Sequence, residues 1–153
     1  MKPTQILFFF LTLAIAFAQQ DYLTMEGPAG PGKGKHIVLL SGDEEYRSEE
    51  AMPMMGQVLA KHGFRCTVLF SLDENGNVDP TVGESLAHSE ALDSADAIVM
   101  ALRFRHWDDK SMERFEKAFQ RGIPIIALRT STHAFNFPAD SKWQKYSWRA
   151  KKE

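Results

Sequence analysis

Three short segments carry the side chains that could do chemistry: 41–48 (SGDEEYRS), 103–108 (RFRHWD) and 129–135 (RTSTHAF). Each is polar and charged, and each follows an apolar run. The first puts Asp43, Glu44 and Glu45 in a row, followed by Tyr46 and Arg47. A phosphate cradle needs glycine-rich backbone without nearby anions. Three consecutive carboxylates therefore disfavour FMN or nucleotide binding. Tyr46 and Arg47 could instead grip a hydroxyl-rich or anionic substrate. Glu49 and Glu50 read more simply as an acidic helix start that complements the helix dipole.

The last segment offers hydroxyls and one imidazole, His133, but no G-x-S-x-G or G-x-C-x-G elbow. The sole cysteine, Cys66, lies inside an apolar run, which excludes acyl transfer through a thiol. His133 has three readings of equal weight: a general base, a metal ligand, or a hydrogen-bonded turn residue. His106, His133, Asp43 and Glu44 could converge on a divalent metal, yet no H-x-H or H-E-x-x-H spacing is present. No cofactor is predicted. Trp107 could floor a sugar pocket by stacking, or staple its loop to the helix that follows. The candidate substrate-binding set is Asp43, Glu44, Tyr46, Arg47, Arg103, Arg105, Arg129, Thr130 and Thr132, with His133 as the candidate catalytic residue.

These segments need a scaffold. Residues 36–41 (HIVLLS), 64–70 (FRCTVLF), 97–102 (AIVMAL) and 123–128 (IPIIAL) are aliphatic runs of the kind buried on both faces of a parallel sheet. In the second run, Cys66 shares a face with Phe64, Val68 and Phe70. Between the runs, 49–62 has helical spacing with Met52, Met55 and Leu59 on one side and Val58 beside them, ending at Gly63. Asp108 is placed to cap a helix running to Arg121, with Met112, Phe115 and Phe119 at a 3-4 repeat and Gly122 ending it. A weaker helix is expected at 82–92. Alternating strands and helices predict α/β, a parallel sheet with right-handed crossovers. Open parallel sheets bind ligands at the carboxyl ends of their strands, where the three polar segments fall.

Composition bounds the rest. The chain has 153 residues, 44% hydrophobic and 25% charged, which suits one globular domain. Eighteen Lys and Arg against 20 Asp and Glu argue against a nucleic-acid partner. A single cysteine excludes an internal disulfide and a cysteine-rich zinc site. Residues 1–18 read as a signal peptide: Lys2, an apolar stretch from Ile6, and a cleavage site at Ala16-Phe17-Ala18. The apolar stretch of 13 residues is shorter than the roughly 20 needed to span a bilayer. The expected product is exported, periplasmic or secreted, with no stable membrane anchor after cleavage. Residues 19–35 read as a flexible leader, because six Gly and Pro crowd 27–34. The folded part is expected over 36–138. The stretch 139–153 reads as a basic irregular tail, solvated or left by a sheet that is incomplete at its C-terminus; a basic tail that binds an acidic surface is the sharper reading. A sheet closed by a second copy, a homo-oligomer, is the other reading.

The loops and their strands resemble the ThuA-like family, named for trehalose utilisation and related to the class I glutamine amidotransferase fold. The resemblance rests on 37–42 through Tyr46-Arg47-Ser48, on 92–99 (LDSADAIV), on Arg103-Phe104-Arg105, and on 122–128 (GIPIIAL) into 129–135. It covers roughly residues 35–137. It implies a flavodoxin-like three-layer domain that is exported and acts on or binds a small-molecule carbohydrate. Many relatives carry a histidine just after the fourth strand, where this chain has Ala127-Leu128-Arg129, and this moves attention to His133. Relatives also continue further, so the resemblance implies an N-terminal portion.

Overall fold

The computed structural model describes residues 21–150. The expected signal peptide at 1–18 lies outside the described residues. So does the end of the basic tail, 151–153.

The 36–41 run forms the central strand, β2 (His36–Gly42), with all seven residues buried. β3 (Arg65–Leu69) and β4 (Ala97–Leu102) flank it in parallel, placing Ile37 opposite both Cys66 and Ala97. Because side chains alternate along a strand, the sheet has two apolar faces. Val38, Leu40, Leu69, Ile98, Met100 and Leu102 share one core. Ile37, Leu39, Cys66, Val68, Val99 and Ala101 share the other, with Phe70 and Phe64 as the pattern required. α1 (Ser48–Lys61) covers the second face through Met52, with Met55 and Leu59 packed beside it. α2 (Asp109–Gln120) covers the first through Met112, Phe115 and Ala118. No helix among the described residues is long and apolar enough to cross a membrane.

The helix ends follow their signals. The Asp108 carboxylate accepts the Ser111 N–H at 2.7 Å, satisfying a donor the first turn would otherwise leave unpaired. Gly63 and Gly122 take φ of +88° and +71°, which a residue with a Cβ resists. Cys66 is fully buried, and desolvation pushes its thiol up to about 11.

Six expectations change. The sheet is mixed, in the order β1-β3-β2-β4-β5, because β1 (Tyr22–Glu26) pairs antiparallel to β3. The expected flexible leader is therefore structured from β1 onward. Its glycine-rich turn packs on the end of α1, with the Gly32 N–H donating to the His62 carbonyl at 2.9 Å. The expected helix over 82–92 is replaced by turns and a 3₁₀ segment, Ser89–Ser94. The fourth parallel strand, β5 (Ile125–Ala127), has only three residues and pairs with β4 alone, leaving Ile126 54% exposed. Phe119 and Val58 lie on outer helix faces rather than inside, Phe119 being 55% exposed.

The sixth change is the tail. Phe137 and Trp143 join the α2-side core, Trp143 being only 5% exposed. A 3₁₀ turn, Gln144–Tyr146, follows. The Trp143 indole N–H donates to Asp109 Oδ1 at 2.8 Å, and Lys142 and Lys145 reach Asp109, Glu113 and Glu116 on α2. The basic residues here neutralise an acidic helix face.

Candidate functional site

The order of strands reverses at β2: the chain crosses from β2 to β3 on one side, then to β4 on the other. A crevice opens outside the carboxyl ends at such a point. The three polar segments meet there, after β2, β4 and β5.

Serines that carry no catalytic pattern hold them together. Ser48 Oγ accepts the Asp43 N–H at 2.8 Å and the Ser41 hydroxyl at 3.0 Å, closing the first loop onto α1. Ser131 Oγ accepts the Leu102 N–H and donates to the Met100 carbonyl, both at 3.0 Å, clamping the 3₁₀ turn Arg129–His133 to the end of β4. Backbone bonds from Phe104 to His133 (3.0 Å) and from Arg105 to Ala134 (2.7 Å) join the second and third loops. Sequence reasoning missed both serines, because a buried serine acquires its role from partners distant along the chain.

Around this frame, three non-glycine residues take the left-handed backbone region: Arg47 at φ 52°, Phe104 at 55° and Arg129 at 42°, one in each loop. Such conformations cost energy and gather at binding and catalytic sites.

Asp43 is 1% exposed. Its carboxylate accepts the Glu45 N–H at 3.0 Å and the Thr130 hydroxyl. Glu44 bridges Arg103 and Arg105, the latter at 3.1 Å. Arg105 is 3% exposed, also donating to the carbonyls of Arg103, Pro80 and Val82 at 2.6–3.0 Å. Burial pulls its guanidinium below the usual arginine range. Arg105 is thus a structural tie between loops, where the sequence suggested a substrate contact. Arg47 pairs with Glu50 on the surface of α1, and Arg103 also faces Glu45 at 3.3 Å.

What stays open is a shallow cavity of about 310 Å³ lined by Tyr46, Arg129, Thr130 and His133. The Arg129 guanidinium lies 3.8 Å from the centre of the Tyr46 ring, stacked on its face. His133 Nδ1 is 3.2 Å from the Thr132 hydroxyl, and its ring packs against Phe104 at 4.9 Å and Trp148 at 6.1 Å between centroids. Nε2 has no hydrogen-bond partner among the described residues. Of the candidate set, the structure gathers Tyr46, Arg129, Thr130 and His133 at the cavity, with Asp43 behind Thr130. Glu44, Arg103 and Arg105 pair with one another and tie the first loop to the second. Arg47 turns away, and Thr132 lines a separate apolar hollow of about 280 Å³ beside Phe119, Ile125 and Trp148.

Sequence reasoning left Trp148 uninterpreted; its contact with His133 needs the folded tail. Trp107 is buried against Phe115 and Phe135, as a staple of the core. His36 is buried between Ser94 and Thr67, as a structural histidine. Among the described residues no three His, Cys, Asp or Glu side chains are grouped to hold a metal ion. A larger hollow of about 510 Å³ lies at the opposite, amino-terminal end of the sheet, among Lys33, Lys35, His36, Arg65 and Asp96.

The class these features define is an α/β domain with a loop-built crevice at the carboxyl ends of its parallel strands. No family model matches the chain, and neither a curated protein nor a solved structure does.

Proposed function

We propose that the chain is an exported ThuA-like domain that binds or acts on a sugar or sugar derivative at the Tyr46–Arg129–Thr130–His133 cavity. The observation that carries this reading is a cavity at the switch point of the sheet, lined by the first and third loops and braced by the second, each loop holding one residue in the left-handed backbone region. The four parallel strands run in the order β3-β2-β4-β5, which supports a flavodoxin-like arrangement. The substrate class rests on the family resemblance. The chemistry of the lining suits it: the Thr130 proton is directed to Asp43, so the hydroxyl oxygen is left to accept from a ligand hydroxyl. His133 Nε2 is the atom for acid/base work.

The second reading is a non-catalytic carbohydrate-binding module. One observation favours it: no carboxylate bonds His133 among the described residues, whereas catalytic imidazoles are usually oriented by a third group. Titration calorimetry of the full chain against hexoses, keto-sugars and disaccharides tests the shared claim, and absence of any binding rejects it. His133→Ala then separates the readings. An enzyme loses turnover far more than affinity, while a module keeps most of its affinity and has no turnover to lose.

A further inference from the structure

The three loops contribute four arginines, and their partners differ. Arg47 is paired with Glu50, Arg103 with Glu44 and Glu45, and Arg105 with Glu44. Arg129 alone has no acidic partner among the described residues. It is held instead by the face of Tyr46, at 3.8 Å. Stacking fixes the plane of a guanidinium and leaves its N–H edge free to donate, the geometry that receives a planar carboxylate through two parallel bonds. The backbone at Arg129 is in the left-handed region, in a turn clamped by Ser131. An arginine confined in this way loses less freedom on binding than a loose surface side chain.

We infer that the ligand carries a carboxylate, a sugar acid rather than a neutral sugar, and that Arg129 is the group that pairs with it. This rests on the carbohydrate reading and narrows it. Thr130 and His133, on the same 3₁₀ turn, then face the adjoining hydroxyls. A phosphate ester would bring the same kind of anion with a larger charge, and the site is built against it. A single uncommitted cation balances one negative charge. The buried Asp43 carboxylate behind Thr130 opposes a second. The cavity, about 310 Å³, sits at the small end of the ~300–1,000 Å³ found for small-molecule sites, which suits a monosaccharide acid.

The test is calorimetric titration of the full chain with glucuronate, gluconate, glucose and glucose 6-phosphate, at low and high salt. We expect a sugar acid to bind at least about tenfold more tightly than glucose, as one charge-assisted pair supplies. That margin shrinks with salt. Arg129→Ala and Arg129→Met remove the preference while retaining the melting transition. Tyr46→Ala, which frees the guanidinium from its stack, weakens it in part. Equal binding of glucose and the acids overturns the inference and leaves the carbohydrate reading standing. Tighter binding of the phosphate ester also overturns it. Should none of the four ligands bind, the inference fails, and the keto-sugar and disaccharide titrations decide the carbohydrate reading separately. Should the preference survive Arg129→Ala in a folded variant, Arg129 is not the group.

Discussion

Trp143→Ala asks whether the basic segment after residue 138 is part of the fold or a solvated end. Trp143 is 5% exposed and belongs to the core that α2 closes. A buried Trp removes about 200 Å² from water, or about 5 kcal/mol at ~25 cal/mol per Å². Its indole N–H bond to Asp109 adds about 1–2 kcal/mol. Alanine recovers part of this, because the short 3₁₀ turn beyond it can collapse inward. The expected loss is about 3–4 kcal/mol, within the range for large aromatic truncations. The ion pairs of Lys142 and Lys145 with α2 are exposed, so each is worth about 0–1 kcal/mol and none can hold the segment alone. Urea unfolding of the full chain followed by far-ultraviolet circular dichroism measures the loss. In a thermal melt it lowers the midpoint by roughly 10–20 °C. Lys142→Ala is the control, expected to cost under about 1 kcal/mol. A loss below about 1 kcal/mol for Trp143→Ala, or an equal loss for Lys142→Ala, refutes the argument that burial rather than charge docks this segment.

Two more outcomes follow from buried polar groups. Ser131→Ala leaves the Leu102 N–H and the Met100 carbonyl unpaired, so stability falls by about 1–3 kcal/mol. Since the same turn carries Arg129, Thr130 and His133, ligand affinity falls further than Thr132→Ala lowers it. Comparative urea midpoints and calorimetry on the two variants check both. His36 has its pKa lowered, chiefly by burial and then by the Arg65 charge, against the weaker opposing pull of Ser94 and Asp96. The folded chain therefore takes up this proton at lower pH than the unfolded chain. Stability from His36 is present above the ordinary value near 6.5 and is lost as pH falls from there toward the folded pKa. Urea midpoints between about pH 7.5 and 5 should drop in the parent and drop less in His36→Gln. Parallel curves for the two proteins would remove His36 as the cause.

The core of the scaffold was legible because its signals are local. β2, β3 and β4 are aliphatic runs whose alternate residues supply two faces. Asp108 caps and Gly63 and Gly122 stop their helices through contacts within a few residues. A period, a cap and a breaker can all be read without knowing what lies across the molecule. The same locality placed the polar segments at strand ends, and so brought Tyr46, Arg129, Thr130 and His133 into view as candidates.

What tertiary structure decided is everything that depends on a distant partner. β1 exists because β3 has a free edge to pair with, and a five-residue strand before a glycine-rich turn announces nothing of that. The segment after 138 looked like a charged tail until the acidic face of α2 and a socket for Trp143 were set beside it. In the three loops, four arginines and a cluster of acids can be read along the chain. Only the fold assigned Glu44 to two of those arginines, buried Arg105, turned Arg47 outward and left Arg129 on Tyr46. The physical reason is that a side chain's chemistry depends on its desolvation and its neighbours' charges. Both arise from residues up to 87 positions away in this chain, as for Asp43 and Thr130.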